Sequence, residues 1–593
     1  TSFPEWLNHK QKIKIRNKIE FVDFNRLYAG NYRFEISSDN SWKTYFNAFE
    51  KENEFTDDEI GVLQAFLLIF AIEAARQAAE TYLVSIEETS KEYRKRHNLD
   101  QYETTYLIRY DESKDTQNLK LSKILKINKP LERFGQELES DKPANTWYIE
   151  PIDATKEDLN KYELEIVKYI GQGELIVSSK SNLRALLPSY GKDDVLFSFY
   201  HQDYIGTQAL LKRKLQIFMK LMEHTLLLQS LSQPGDSVTV TRRNFDVDKI
   251  LNKFDDSKKT VFTHLIKTQP NFVIGGPPGV GKTFLISNYV NHLFQEENNT
   301  KVILSAQAHA TVKNLHYNVI KNIINENFYK DLIIVEYFKE DATDKSLDSK
   351  NDEEESSILF KTSERYLKDF EKSELFRSNT NNLAIRTKLK EFIKTSHWSF
   401  FSQILKSANL VFTTSNSALM ASLVRNDIAF DVSIMEESAK ASGLELIGPM
   451  MIANKRVLIG DHKQLPPFDE NMVKRVISND DGISASFLIS ILENLGLSSN
   501  IKNSLNLRNI DDQFDENLTR NIYKYFSLFE TLSKTAKSLS SLGQNSFGKS
   551  LDIQHRMHPE ICEIVSNTVY EGQLNTHHDH IVNRPGIVGD PKL

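Results

Sequence analysis

The chain has 593 residues, of which 40% are hydrophobic and 26% are charged, and its net charge is −7. This length and composition exclude a disordered or fibrous chain and predict a globular protein of roughly three to five domains. The negative net charge excludes nucleic-acid binding through overall basicity, although a local basic channel is compatible with it.

Cysteine usage and hydropathy limit the setting in which the protein works. The single cysteine, Cys562, excludes a disulfide framework and a cysteine-only zinc site within the chain. It favours a reducing compartment, which is the cytoplasm or, in a eukaryote, also the nucleus. The most apolar stretch, residues 62–72, is well short of the about 20 residues that a bilayer span needs. We predict a buried helix there and no membrane contact.

Residues 1–165 carry no motif that we can tie to chemistry. In residues 1–165, an alanine-rich helical pattern and an alternating segment at 105–110 predict an α+β accessory region of unknown role. Residues 166–250 pass from short strand-like runs into one long helix over 208–231, where Leu and Met recur at helical spacing. These apolar residues indicate core packing.

From residue 251 onward, strand-like apolar runs each precede a helical segment. The runs are residues 272–274, 302–304, 332–335, 410–412, 432–435 and 457–459. This alternation predicts an α/β fold with a mainly parallel sheet and helices on both faces. A charge-rich run at 339–357, which has little to bury, predicts a surface loop that interrupts the pattern.

The strongest chemical signal is an eight-residue run after the first of these strands. Its members are Gly276, Pro277, Pro278, Gly279, Val280, Gly281, Lys282 and Thr283. A strand before it and a helix after it are the setting of a P-loop, in which glycines let backbone N–H groups turn toward phosphate oxygens. Lys282 is predicted to hold the β- and γ-phosphates, and the Thr283 hydroxyl to ligate Mg²⁺. The motif predicts nucleoside triphosphate binding and leaves open how the energy is used.

Two further strand ends carry polar side chains. The run 432–435 delivers Glu436 and Glu437 to the sheet edge where ligands bind. Without the P-loop, two such acids indicate a solvated strand end. With it, Glu436 is predicted to hold Mg²⁺ through its water shell, and Glu437 to orient and deprotonate the attacking water. Gln464 follows the run 457–459 and is able to hydrogen-bond both a γ-phosphate and a neighbouring domain.

Taken together, these runs resemble the motifs of the superfamily 1 helicases. They read GPPGVGKT at 276–283, MEESA at 435–439, GDHKQLPP at 460–467 and QHRMHP at 554–559. More narrowly, they resemble the branch that contains the nonsense-mediated-decay helicase and senataxin. Residues 303–315 and 408–415 are similar to two further motifs of that branch, so six motifs stand in the family's order.

The resemblance implies two RecA-like domains that clamp ATP and Mg²⁺ between them while single-stranded nucleic acid crosses their top. We expect the first domain at residues 251–490, with an inserted helical subdomain at about 316–405. The incomplete start of the second is expected at 491–593. The branch also places a small barrel on a helical stalk before the P-loop, which we expect at 166–250.

The same resemblance assigns roles to individual residues. Lys282, Thr283, Glu436, Glu437 and Gln464 form the first domain's half of the ATP site, and Arg556 is an arginine finger from the second domain. Lys258 and His555 stand at positions that contact the nucleotide base. The positions that contact the nucleic-acid strand are His309, Thr311, Thr413 and Thr414.

The chain departs from the family pattern at four places. Lys258 replaces a glutamine that reads adenine, and an ammonium group cannot both donate and accept hydrogen bonds as an amide does. Glu436 replaces an aspartate, and His555 replaces a tyrosine. The late motifs of the second RecA-like domain do not occur before Leu593, and the chain starts without Met, so we expect a truncated chain.

A cluster of potential metal ligands follows the helicase-like motifs. It consists of His577, His578, Asp579 and His580. Neighbouring residues rarely converge on one ion, so a solvated loop is the favoured interpretation.

The leading hypothesis is therefore an ATP-dependent helicase or translocase that moves on single-stranded DNA or RNA, with the 5′→3′ polarity that most of the branch has. The alternative is an ATP-switched sensor or regulatory subunit of a nucleic-acid surveillance or antiviral defence complex, without processive unwinding. Residues 1–165 then serve as the binding region for a protein partner. The sequence does not distinguish DNA from RNA, because the motifs contact mainly phosphates.

Overall fold

The structure of the chain is a computed structural model. It describes residues 14–15, 19–20, 55–99, 101–110, 112–115, 121–123, 125, 146–151, 162–171, 173–179, 183, 197–201, 203–243, 245–338, 365, 368, 372, 391, 397–478, 483–494, 499–507, 510 and 514–577. The chain divides into two compact units, Thr1–Ile60 and Gly61–Leu593. The described residues of the first include an antiparallel ribbon of β1 (Lys14–Ile15) and β2 (Ile19–Glu20).

A closed six-stranded barrel follows helix α1 (Asp57–Ala79). Helix α2 (Lys91–Arg96) connects its first two strands. The strands are β3 (Tyr82–Glu88), β4 (Tyr106–Tyr110), β5 (Thr146–Pro151), β6 (Tyr162–Gly171), β7 (Glu174–Ser178) and β8 (Phe197–His201). Neighbours pair antiparallel in the order β3-β4-β7-β6-β5-β8. Inward-facing aromatic residues fill the barrel, with the Trp147 ring stacked on Phe199 at 4.6 Å.

The barrel corrects the expected boundary at residue 165. That residue lies inside strand β6, and three of the six strands precede it. A closed barrel needs all of its strands, because each pairs with two neighbours and no edge remains. The part of the accessory region that starts at Tyr82 and the part of the expected barrel segment that ends at His201 therefore form one structural element.

Two helical segments flank the barrel in the chain and form its stalk. The first is α1, in which every residue of 62–72 except Gln64 is buried, in agreement with the prediction of a buried helix. The second consists of α3 (Asp203–Leu221) and α4 (Thr225–Ser232). Among the described residues, no helix combines the length and the apolarity needed to cross a membrane.

The second stalk segment corrects the prediction of one helix over 208–231. The amides of Glu223 and His224 bond to the carbonyl oxygens three residues earlier, which is the tight turn of a helix end. Helix α4 then starts at Thr225 and buries Leu227 and Leu228 completely.

A seven-stranded parallel sheet forms the main domain. Before it lie a ribbon of β9 (Thr239–Val240) and β10 (Thr268–Gln269), and helices α5 (Asp248–Leu251) and α6 (Asp256–Lys267). Its strands are β11 (Asn271–Gly275), β12 (Val302–Ala306), β13 (Ile334–Tyr337), β14 (Leu410–Thr414), β15 (Phe430–Glu436), β16 (Ala453–Gly460) and β17 (Gly548–Ser550). They lie in the order β13-β14-β12-β15-β16-β11-β17, so all six predicted strand runs are confirmed.

Helices connect these strands. They are α7 (Lys282–Glu296), α8 (His309–Ile323), α9 (His397–Ser407), α10 (Ala418–Arg425), α11 (Gly443–Met451), α12 (Glu470–Ile477), α13 (Ala485–Asn494), α14 (Ser499–Ser504), α15 (Glu516–Phe526), α16 (Leu528–Ser541) and α17 (Pro559–Val569). Short 3₁₀ helices lie at Asn327–Asp331 and Ser438–Lys440, and β18 (Ile553–Gln554) pairs with β19 (Asn575–Thr576). Helices α6, α7 and α8 share one core with alternate strand residues such as Phe272 and Ile274. Because Val273 between them is also buried, both faces of the sheet are covered.

The structure also corrects two expected boundaries within the main domain. Strand β17 pairs in parallel with β11, so the first sheet extends to Ser550 and does not end near residue 490. Helix α15 packs so closely on α11 that a Cβ on Gly443 would lie 1.9 Å from the Tyr525 carbonyl oxygen. The inserted subdomain cannot start at residue 316, because α8 continues to Ile323 and β13 is an edge strand of the sheet. The charge-rich run 339–357 lies outside the described residues.

Lys455 provides a test of this buried core. Its Nζ donates to the Leu265 carbonyl oxygen and lies 5.4 Å from the centre of the Tyr289 ring. Burial lowers the pKa of Lys455 from 10.5 to about 7. The unfolded chain therefore holds the Lys455 proton more tightly than the folded chain does. As a result, the contribution of Lys455 to the free energy of unfolding rises with pH between about 7 and 10.5.

We predict that the free energy of unfolding of the wild type increases relative to that of Lys455→Met by about 2 kcal/mol between pH 7 and pH 9. Urea denaturation at a series of pH values measures this difference. Two curves that stay parallel across the range would show that the amine does not titrate in this window.

Candidate ATP site and strand-contacting loops

The carboxyl ends of the central strands bring the predicted site residues to one edge of the sheet. The P-loop follows β11, Glu436 ends β15, and Asp461 follows β16. Register places Gly275 opposite Gly460, and Ala306 opposite Glu436. In a parallel sheet these ends are where ligands bind.

The P-loop has the backbone that phosphate binding requires. Gly279 and Gly281 have φ of +83° and +81°, a conformation that glycine adopts without steric cost. Gly281 caps the N-terminus of α7, which orients free amides and the helix dipole toward the loop. The Lys282 Nζ donates to the carbonyl oxygens of Gly276 at 2.5 Å and of Pro277 at 3.1 Å. Burial lowers the pKa of Lys282, against the attraction of Asp461 and the two glutamates.

Thr283 and Glu436 fit a Mg²⁺ ion. The Thr283 hydroxyl donates to Glu436 Oε1 at 2.6 Å, and the buried Glu436 Oε2 has no hydrogen-bond partner among the residues that the structure describes. Burial raises the pKa of Glu436, and the Glu437 charge adds to this. Carboxylate and hydroxyl oxygens are the ligands that Mg²⁺ prefers, and a cation would compensate the buried carboxylate.

Glu437 is held in an uncommon backbone conformation beside this pair. Its φ of +55° is in the left-handed region, which a glutamate adopts only when its surroundings determine it. The Thr311 hydroxyl donates to Glu437 Oε2 at 3.1 Å, and Lys440 Nζ lies 3.2 Å from Oε1. These contacts orient the carboxylate that the sequence assigns to the attacking water.

Asp461 connects Gln464 with the segment after α17. Gln464 Nε2 donates to Asp461 Oδ2 at 2.8 Å, and the Tyr570 hydroxyl donates to the same oxygen at 2.7 Å. Asp461 is buried, whereas Gln464 is exposed. The structure therefore places Gln464 at the sheet edge near the P-loop, as predicted, and adds Tyr570 to its surroundings.

The loop that carries Arg556 lies against the P-loop. A Cβ on Gly279 would be 2.6 Å from the Arg556 Cβ, and the His555 amide donates to the Gly279 carbonyl oxygen at 2.9 Å. Gln554 organises the loop, because its Oε1 accepts from the amides of Arg556 and Met557 and its Nε2 donates to the Met557 carbonyl oxygen. Arg556 is thus placed at the P-loop.

Lys258 and His555 meet next to the P-loop, but Lys258 is not free to read a base. Its ammonium forms an ion pair with Asp255, and both side chains are only about 5% exposed or less. His555 Nε2 lies 2.9 Å from both Asp255 Oδ2 and Lys258 Nζ. Burial lowers the pKa of His555, against the hydrogen bond to Asp255. Lys258 also contacts Gly281, where a Cβ would be 2.7 Å from its Cε.

The four predicted strand-contacting residues differ in exposure. His309, the first residue of α8, is half-buried. The Thr311 hydroxyl donates a hydrogen bond to Glu437. Thr413 is fully buried and shares a hydrogen bond with Ser417, and Thr414 is 6% exposed. The structure thus corrects the expected contacts at these two threonines, because β14 continues through Thr414 into the core and buries both side chains.

A largely buried carboxylate, Glu445 with 11% of its side chain exposed, joins the two strand-contacting loops, and the sequence analysis did not find it. Glu445 accepts from Gln307 at 3.1 Å and from Asn416 at 2.7 Å. Lys214 of the stalk lies 3.6 Å from Glu445 and 2.7 Å from Glu73. The sequence could have predicted the capping box of Ser442 and Glu445, because it is a local motif. It could not have predicted the contacts of Glu445 with residues far away in the chain. Asp255, Asp461 and Tyr570 were missed for the same reason.

The histidine cluster after the motifs is only partly within the described chain. His577 stacks on His555 at 4.8 Å, and His578, Asp579 and His580 lie outside the described residues. Among the residues that the structure covers, no group of three or more potential ligands is placed to hold a metal ion.

Comparisons with known proteins agree with this architecture. Two family models, both described as AAA domain, match residues 333–469 and 525–587. Regulator of nonsense transcripts 1 of Dictyostelium discoideum is 26% identical over 56% of this chain and 20% of its own length. ATP-dependent helicase upf1 of Schizosaccharomyces pombe is 23% identical over 52% of this chain and 27% of its own length. Probable helicase senataxin of Mus musculus is 26% identical over 28% of this chain and 5% of its own length.

Fold and site together define a P-loop NTPase built on a RecA-like sheet. The chain is similar to the superfamily 1 helicases, and more narrowly to the branch that contains the nonsense-mediated-decay helicase and senataxin. It spans 20% and 27% of the length of the first two relatives.

We predict that Gly279→Ala weakens ATP binding at least about tenfold more than Gly543→Ala does. Both glycines have positive φ, so either alanine costs roughly 1–2 kcal/mol of backbone strain. Only the Cβ at position 279 meets Arg556, whereas nothing lies within 4 Å of one at position 543. Titration with a fluorescent ATP analogue measures the affinity, and thermal unfolding measures the strain. Equal affinities in the two variants would contradict the contact between the P-loop and the Arg556 loop.

Proposed function

We propose that this protein is an ATP-dependent motor that translocates on single-stranded nucleic acid and unwinds duplexes. The observation that carries the proposal is the set of six helicase motifs whose ATP-site residues meet at one sheet edge, with Thr283 bonded to Glu436 and the Arg556 loop against Gly279. The names of the relatives, which describe helicases and a regulator of nonsense transcripts, support the same class of activity.

Within this proposal, Thr283 and Glu436 would hold Mg²⁺, which would supply positive charge to offset the negative charge of the phosphates. Lys282 and the P-loop amides bind the β- and γ-phosphates. Glu437 takes a proton from the attacking water, and its contacts with Thr311 and Lys440 hold its carboxylate in place. Gln464 responds to the γ-phosphate, and the Arg556 guanidinium stabilises the negative charge that develops there.

Lys258 and His555 are proposed to position the loop of Arg556 and to discriminate only weakly among nucleotide bases. The buried Asp255–Lys258 pair supports a role in holding the finger loop through His555. A donor-only ammonium also supports weaker discrimination among the four nucleoside triphosphates than an amide would provide.

For the nucleic-acid strand, we infer that His309, Gln307 and Asn416 line the path. The side-chain amides of Gln307 and Asn416 both donate to the Glu445 carboxylate. Amides and a helix N-terminus bind phosphate and sugar without reading sequence, which suits a translocating motor. We propose 5′→3′ movement because most of this branch has that polarity. Residues 1–165 are proposed to bind a protein partner in the cytoplasm or nucleus.

We predict that single-stranded oligonucleotides stimulate ATP turnover of the wild-type protein and that Glu437→Gln lowers the maximal turnover by about 10²–10⁴-fold. ATP binding is expected to persist, because the P-loop and the Thr283–Glu436 pair are intact. A coupled phosphate-release assay measures turnover. Glu174→Gln, which alters an ion-paired carboxylate of the barrel, serves as the control and is expected to leave turnover unchanged.

Strand displacement on duplexes with a 5′ or a 3′ single-stranded tail tests movement and polarity. The proposal requires displacement from the 5′-tailed substrate. Stimulated turnover without displacement of either substrate would support the ATP-switched sensor instead. Turnover that oligonucleotides do not change would exclude a nucleic-acid motor.

A further inference from the structure

Helix α17 buries Cys562 in the core of the sheet domain, and its two ends contact two loops of the ATP site. At its start, the loop of residues 554–558 places Arg556 against Gly279 of the P-loop. At its end, the C-cap residue Tyr570 donates its hydroxyl to Asp461 Oδ2 at 2.7 Å. A helix of 11 residues therefore connects the arginine finger with the loop that carries Gln464.

The contact at the far end of this helix is a charge-assisted hydrogen bond. Asp461 is only 7% exposed, so its carboxylate is largely shielded from water. Burial and the Asp461 charge both raise the pKa of Tyr570, which keeps the hydroxyl protonated as a donor. Hydrogen bonds of this kind are stronger than those between neutral groups. The next residue, Glu571, lies 3.5 Å from Lys463 in the same loop.

Gln464 shares the same oxygen atom. Its Nε2 donates to Asp461 Oδ2 at 2.8 Å, so one carboxylate oxygen accepts from Gln464 in the loop after β16 and from Tyr570 at the end of α17. When Gln464 leaves Asp461 for another acceptor, Tyr570 becomes the main donor to that oxygen and its bond strengthens. When Gln464 returns, the two donors share the oxygen again.

We propose that Tyr570 is a positioning residue that couples the state of Gln464 to the placement of Arg556, through Asp461 and helix α17. The proposal rests on the ATPase function proposed above. Movement of Gln464 toward a γ-phosphate tightens the Tyr570–Asp461 bond and draws the end of α17 to the loop after β16. Because α17 is one continuous helix, a displacement of its C-terminal end also moves its N-terminal end, which presses the loop of Arg556 against the P-loop.

The assignment predicts a change in the maximal rate with little change in nucleotide affinity. Tyr570→Phe removes one hydroxyl and keeps the ring. We expect the oligonucleotide-stimulated kcat to fall about tenfold, while the KM for ATP stays within about twofold of the wild type. Tyr200→Phe is the matched control, because it removes a hydroxyl that donates to the Glu150 carboxylate at 3.0 Å within the barrel. This control is expected to leave both constants unchanged.

A double-mutant cycle separates coupling from a merely structural role. If Tyr570 acts through the oxygen that it shares with Gln464, Tyr570→Phe changes kcat less than about twofold in a Gln464→Ala background. Independent, multiplicative losses would overturn the proposal, as would a wild-type kcat in the single variant. Should Tyr570→Phe lower the melting temperature below that of the Tyr200→Phe control, Asp461→Asn provides the second measurement. It weakens the same acceptor, and the added Tyr570→Phe change is then expected to have no further effect.

The proposed function and this inference fail in different ways. Absence of any oligonucleotide stimulation in the wild type contradicts the motor function itself. Normal stimulation in the wild type together with unchanged kinetics in Tyr570→Phe contradicts only the role of Tyr570.

Discussion

The parallel register of three neighbouring strands determines where the chemistry of this protein takes place. Strand β11 lies between β16 and β17, with Gly275 opposite Gly460 and Ser550. The residues that leave these strands therefore emerge side by side, although they come from positions 275, 460 and 550 of the chain. A one-residue slip would turn every side chain of a strand to the other face of the sheet and would separate the site residues.

The close approach of backbones at this edge adds a second requirement. A Cβ on Gly460 would lie 2.8 Å from the Ala439 amide nitrogen, and one on Gly275 would lie 2.9 Å from the Ser550 hydroxyl oxygen. Small residues at the strand ends let the loop after β15 pack against the end of β16, and let the start of the P-loop pack against β17. The site thus depends on the absence of side chains as much as on the charged groups that it gathers.

Local sequence patterns were sufficient to predict the strands and the ATP-site residues. Each strand is a short apolar run, and each site residue follows one directly, so spacing along the chain determines its location. Family resemblance predicted that a barrel is present but not which strands form it. Its closure pairs β3 with β8, which are separated by more than a hundred residues. The extension of the first sheet to β17 was missed for a similar reason, since three residues of modest hydropathy identify a strand only once they pair with β11.

Contacts between distant segments account for the remaining differences. The exposure of Thr413 and Thr414 depends on how far β14 continues into the core, which no local pattern specifies. Lys258 pairs with Asp255 within one turn of helix, so that ion pair was predictable, but the addition of His555 from nearly 300 residues away was not. Where a side chain has several possible partners, the tertiary packing decides among them.

The ion cluster of Lys214, Glu73 and Glu445 has a mechanical consequence. Lys214 and Glu73 belong to the helices that leave and enter the barrel, and Glu445 belongs to the sheet domain. Separating one partner would leave a buried charge without compensation, at a cost of roughly 3–5 kcal/mol. Both barrel attachments are therefore clamped to the same carboxylate that holds Gln307 and Asn416. A displacement of either stalk helix would therefore also move the carboxylate that holds these two loops.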